Sequence, residues 1–200
     1  MKLEVLVSTM YQKDYDLVKK INIKSDAVVI NQCNENNQRE FCYNSKNKIK
    51  WINTTERGLS KSRNMAIRNS DADICILADD DIVYTDDYTE KVKTQFEQYP
   101  DADIITFQVE GIEKKFKDYY KTVKTLNYLT SMKVSSVEIA FRRSSIVKNN
   151  INFNENFGAG AKYQMGEENI FLTQCLRMGL KVIYVPIKIA DLHIGKSSWF

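Results

Sequence analysis

An α/β domain built on a largely parallel sheet is the fold class that this 200-residue sequence predicts. Three observations carry that reading. Short apolar runs alternate with segments of helical period through the first half of the chain. Several of those runs are apolar on both faces, as strands covered by helices on each side must be. A strongly periodic helix near the end leads directly into another apolar strand.

The elements follow in order. Strands are expected at 3–8 (LEVLVS), 27–31 (AVVIN), 48–53 (KIKWIN), 73–79 (DICILAD) and 103–109 (DIITFQV). Helices over 11–24, 60–69 and 86–99 fill the intervals and give a βαβ rhythm. The second half is less regular. Residues 112–133 are rich in Lys and Tyr and read as one long helix, and 135–143 (SSVEIAFRR) as a strand. In EENIFLTQCLRMG (167–179), Ile170, Phe171, Gln174, Cys175 and Met178 fall on helical spacing, with Gly179 as the stop. LKVIYVP (180–186) reads as a strand closed by Pro186. The chain is therefore expected to be one domain over 1–200: a Rossmann-like, nucleotide-binding half at 1–110 and a mixed α+β half at 111–200.

Composition bounds the function. The chain is 43% hydrophobic and 28% charged, ordinary for a globular domain that can bury a core. A formal net charge of +3 is too small to argue for nucleic acid. Cys33, Cys42, Cys75 and Cys175 form no C-x-x-C pair and read as reduced thiols of a cytoplasmic protein, with a Cys33–Cys42 disulfide as the lesser alternative. The apolar start of MKLEVLVSTMYQKD is too short for a signal peptide or a membrane span. DLHIGKSSWF stops on two aromatics without a polar tail, which reads either as a natural end or as a chain cut short at Phe200.

The sharpest chemical signal is ICILADDDIVY (74–84), three aspartates behind an apolar run. In open α/β sheets ligands sit beyond the carboxyl ends of the strands, where this cluster lies. On an extended chain Asp79 and Asp81 share a face, and two hard carboxylates there suit Mg2+ or Mn2+ together with phosphate oxygens. The competing reading is a solvated turn with Asp as a helix cap.

RGLSKSRNMAIRNSDADICILADDDIVY (57–84), followed by GAGAKYQMGEENIFLTQCLRMGLKVIYVPIKIADLH (158–193), resembles the family 2 glycosyltransferases, which have the GT-A fold. The subgroup most similar in appearance makes bacterial capsule and cell-surface polysaccharide. The resemblance implies a nucleotide-sugar donor, UDP-linked by preference, and a saccharide or lipid-linked acceptor. It also implies inversion at the anomeric carbon and a divalent cation, Mn2+ or Mg2+. By position, Asp79 and Asp81 match the DxD element that holds metal and diphosphate, and His193 matches a histidine near them. Glu167 and Glu168 match the catalytic acidic pair, with Glu168 as the base. Ser8, Asn31, Ser60, Arg63, Asp79 and Asp80 fall where donor contacts are expected, and Lys196 and Ser197 where they can assist the diphosphate.

The sequence departs from the pattern in three places. Glu168 stands where Asp is usual. VSTMYQKD lacks the proline of the usual IPTYN. INQCNEN (30–36) replaces an acidic DDGS-like element, so Asn31, Gln32 and Asn34 can bond a base but carry no charge.

Other readings compete. Glu167 and Glu168 can simply be helix N-terminal acids, Arg63 a surface charge, and a lone His193 a structural residue. A sugar nucleotidyltransferase would carry a glycine-rich loop after the first strand, and STMYQKDYD has no glycine. A non-catalytic nucleotide-sugar binder would bind UDP without turnover. The basic segment 112–133 reads first as an amphipathic helix with a solvated face, and second as a peripheral contact with anionic lipid at the inner membrane surface.

Overall fold

The computed structural model describes residues 1–195, so Lys196 and Ser197 lie outside the described residues. The chain forms β1 (Leu3–Met10), α1 (Leu17–Lys20), β2 (Asp26–Gln32), β3 (Asn37–Tyr43), β4 (Asn47–Thr54) and α2 (Leu59–Asn69). It continues with β5 (Ile74–Asp79), β6 (Ile82–Tyr84), α3 (Tyr88–Gln98), β7 (Ile104–Gly111), β8 (Lys124–Thr125) and α4 (Tyr128–Ser131). A 3₁₀ turn (Ser136–Glu138) leads to β9 (Ile139–Arg142), α5 (Arg143–Lys148), α6 (Glu167–Arg177) and β10 (Val182–Leu192).

One sheet runs β3-β4-β2-β1-β5-β9-β7-β10-β6, with β8 on β10. Its β4-β2-β1-β5 stretch is parallel, which brings the carboxyl ends of all four strands to one edge. The sheet then turns mixed, because β9 lies antiparallel between β5 and β7.

Both faces are covered, as the apolar runs require. In β1, Val5 and Val7 pack in one core with Leu17, Val18, Tyr88, Val92 and Phe96 of α1 and α3. Leu6 packs on the other face with Ala66, Ile67, Ile146, Phe171, Leu172 and Cys175 of α2, α5 and α6. Strict alternation on a strand buried from both sides is what makes LEVLVS read as continuous hydrophobicity.

Several expectations are corrected. Only Leu17–Lys20 of 11–24 is helical, because the Asp14 side chain accepts the Asp16 N–H and holds a turn instead. Strand β3 was not foreseen: it is a mostly exposed edge strand without an apolar pattern, hairpinned to β4 through Asn44 and Ser45 at positive φ. Residues 112–133 are not one long helix. Tyr119 bonds the Val109 backbone and the Glu138 carboxylate, and the Tyr120 carbonyl accepts from Tyr184. These tertiary anchors draw the segment out along the sheet. Residues 135–138 turn before β9 begins. Pro186 does not close β10: the strand bulges around it and pairs β7 again through Leu192. Met178, expected on the buried face of α6, is 54% exposed.

All four cysteines are free thiols. Among the described residues no helix is long and apolar enough to cross a membrane.

Phe171 of α6 is fully buried and stacks on Phe153 with ring centroids 4.3 Å apart. Phe171→Ala should cost about 3–5 kcal/mol. Urea unfolding checks this, and a loss below about 1 kcal/mol would show that α6 is not anchored through this ring.

Candidate active site

The aspartates sit where β5 ends and the chain turns into β6. Their carboxylates have three different fates. Both oxygens of Asp79 accept from Arg63 Nη2 at 3.2 Å. Asp80 accepts the Thr9 hydroxyl at 2.7 Å. Asp81 Oδ1 is buried with no hydrogen-bond partner among the described residues. Burial, with Asp79 and Asp80 beside it, pushes the Asp81 carboxyl up to about 7. Asp79 and Asp81 do line one cleft.

Arg63 is the centre of the site. It sits on α2, is 2% exposed, and lies with its guanidinium 5.5 Å from the centre of the Phe153 ring. Nη1 donates to Glu167 at 2.7 Å, and Nη2 to Asp79 and to the Ser136 hydroxyl at 2.8 Å. Burial lowers the pKa of a guanidinium, but the carboxylates of Asp79 and Glu167 more than offset it and hold Arg63 above its ordinary value. One buried cation thus ties α2, the end of β5, the 3₁₀ turn and the start of α6.

The two glutamates that open α6 are therefore not equivalent. Glu167 is buried against Arg63, whereas Glu168 is half-buried and lines the same cleft as Asp81, a cavity of about 190 Å³. Burial and the neighbouring Glu167 carboxylate push Glu168 up to about 7. The loop before α6 lies close over Glu167. Gly158 has φ +97°, and a Cβ there would meet the Glu167 carboxyl carbon at 3.2 Å, so only glycine fits. The loop is fixed to α2 by the Ser60 hydroxyl donating to Phe157 O at 2.7 Å and by Leu59 N–H donating to Ala159 O.

Beyond the ends of β1, β2 and β4 lies a second, larger cleft of about 600 Å³, lined by Tyr11, Gln12, Asn34, Glu35, Trp51 and Asn53 among others. Several expected donor residues sit one layer behind its surface. The Asn31 amide accepts Gln12 N–H and donates to Gln12 O, clasping the backbone of that loop. The Gln32 amide does the same to Gly58. A carboxylate could accept but not donate at these positions. Ser8 is buried and accepts from Ser62. Sequence reasoning missed Tyr11, whose positive φ turns its exposed ring under Arg57, and Thr9, the partner of Asp80. No composition or spacing signal marks either.

His193 lies at the end of β10, and its backbone N–H donates to Asp81 O at 2.8 Å. It lines a third cavity of about 330 Å³ with Asp80 and Asp81. Asp81 thus stands between the Glu168 cleft and the His193 cleft. Among the described residues no three Asp, Glu, His or Cys side chains converge as a ready-made metal cage.

Removing one partner of a buried ion pair is expensive. Glu167→Ala should therefore cost about 3–5 kcal/mol in urea unfolding, while Glu168→Ala should change stability by less than about 1 kcal/mol. Equal losses at the two positions would refute the division between them.

The sequence profile described as Glycosyl transferase family 2 matches residues 17–165. Among curated proteins no match was found. Among solved structures, S. aureus TarS 1-349 superposes with TM-score 0.74 at 15% identity, covering 96% of this chain and 60% of that one. TarS 1-349 in complex with UDP gives TM-score 0.72 at 15% identity, covering 97% and 61%. The same protein in complex with UDP-GlcNAc gives 0.67 at 14%, covering 96% and 58%. This chain thus spans about three fifths of the TarS 1-349 chain. The likeness shows the fold, a mixed α/β sheet of GT-A type. On the strength of the profile match over most of its length, this chain belongs to glycosyl transferase family 2.

Proposed function

We propose that this chain transfers a sugar, with inversion, from a nucleotide-sugar to an acceptor hydroxyl, and that Glu168 is the general base. One observation carries the reading. Two adjacent carboxylates open α6, and Arg63 engages only Glu167, so Glu168 faces the cleft as a base with a pKa pushed up to about 7. A base works best with a pKa near the operating pH. In the transfer, Glu168 accepts the acceptor proton as that oxygen attacks the anomeric carbon, and the bond to the diphosphate breaks on the opposite side.

Asp81 fits a divalent cation. It offers a buried oxygen without a partner in a crowd of negative charge. Mg2+ and Mn2+ accept one or two carboxylates when phosphate oxygens and water complete the shell, which suits a site without a full protein cage. Such a cation, when bound, would stabilise charge developing on the leaving diphosphate. Asp81 and His193 would hold it, with Asp79 behind them keeping Arg63 in place. The cleft at Tyr11, Asn34 and Trp51 has the size and aromatic lining for a nucleoside. UDP and UDP-GlcNAc bound to TarS support a UDP-sugar. The acceptor, a saccharide or a lipid-linked one in surface polysaccharide synthesis, would enter beside Met165, which is 79% exposed at the rim of the Glu168 cleft. The lysines of 112–133 are mostly exposed and would favour a peripheral contact with anionic lipid at the cytoplasmic membrane face.

Glu168→Gln should lower kcat by roughly 10²- to 10⁴-fold with UDP binding retained. In the wild type, kcat should fall about tenfold per pH unit below about 7 and level off above it, since the base must be ionised. A Glu168→Gln enzyme within a factor of a few of wild type would overturn the assignment.

A further inference from the structure

Glu113 lies in the turn that follows β7. Its Oε1 lies 2.9 Å from His193 Nδ1, and its Oε2 accepts the Ile194 N–H at 2.9 Å. One carboxylate therefore grips both the ring and the backbone of the segment that ends β10. An ionised carboxylate only accepts, so the imidazole nitrogen facing it carries the proton. The other ring nitrogen, Nε2, is then the one with a lone pair. The His193 backbone is fixed from the other side by its N–H to Asp81 O.

The turn that presents Glu113 is built for close approach. Ile112 N–H donates to Leu192 O at 3.0 Å, which aligns the turn with the end of β10. A Cβ on Gly111 would lie 2.1 Å from the Lys114 carbonyl oxygen and 2.7 Å from Ile194 Cδ1. The first of these is backbone, so any side chain at 111 would force the turn open and carry Glu113 away.

We propose that Glu113 is a positioning residue. It fixes His193 in the Nδ1–H tautomer and leaves the Nε2 lone pair for a cation held beside Asp81. Carboxylates that orient a metal-binding histidine work this way, and their loss weakens metal affinity by about 10–100-fold. The inference rests on the reading of His193 as a cation contact, and its test separates the two.

His193 is the only histidine of the chain, so an imidazole nitrogen spectrum of ¹⁵N-labelled protein shows one residue. At mildly alkaline pH the wild type should show the Nδ1–H form, and Glu113→Ala should lose it in favour of the Nε2–H form that free imidazole prefers. Gly111→Ala should do the same without touching the carboxylate. Mg2+ binding in the presence of UDP, followed by calorimetry, should weaken about 10–100-fold in Glu113→Ala. It should not weaken further when Glu113→Ala is added to His193→Ala. A wild type in the Nε2–H form, a tautomer unchanged by Glu113→Ala, or a full further loss in the double variant would overturn the proposal. If the tautomer behaves as expected while Mg2+ with UDP leaves the Nε2 signal unmoved, the positioning role holds and the cation reading of His193 fails.

Discussion

A single buried guanidinium holds the site together. Arg63 has two carboxylate partners and a hydroxyl, contributed by three segments widely separated in sequence. Burying a charge costs several kcal/mol unless its partners are well placed, so this arrangement is stable only when all of them arrive. The GT-A sheet brings them there: α2 follows β4, β5 ends at Asp79, and α6 starts behind the glycine-bearing loop. Arg63 pairs with Asp79 and Glu167, so Asp81 and Glu168 line the cleft without a hydrogen bond from it.

Those remaining carboxylates are Asp81 and Glu168, and their surroundings push both up to about 7. They share one cleft, yet Asp81 also opens onto the cavity lined by His193. A sugar transfer needs a place where the leaving group's charge is met and another where a proton is taken. Asp81 lines both cavities and stands where they meet. Behind the larger cleft, Asn31 and Gln32 each clasp a loop backbone through both halves of the amide. An amide can donate and accept in one grip, which a carboxylate cannot do.

Much of this was legible in the sequence, and the rest was hidden for physical reasons. Strands buried on both faces announce themselves as apolar runs, which is why β1, β2, β4, β5 and β7 were foreseen nearly to the residue. Helix α6 has a clear period and a glycine stop. Edge strand β3 has neither a buried face nor a period, and its only signal was the Asn44–Ser45 turn. The segment 112–133 has helical composition, but Tyr119 and Tyr120 are anchored by partners distant in sequence, and tertiary contacts override propensity. At the candidate site, motif position singled out Arg63, Asp79, Asp81, Glu167 and Glu168, which the fold brings to one cleft. It could not say which carboxylate Arg63 would take. Nor could it find Glu113, whose importance lies only in its contact with His193.

If Asp81 holds a divalent cation, donor binding depends on that cation and on the Asp81 carboxylate. Calorimetry of UDP binding with Mn2+ and with EDTA, on wild type and on Asp81→Asn, tests it most directly. Mn2+-dependent binding in the wild type, abolished by Asp81→Asn in a folded protein, is the expected result. Wild-type binding that ignores EDTA, or an Asp81→Asn protein that binds UDP with Mn2+ as the wild type does, would contradict it.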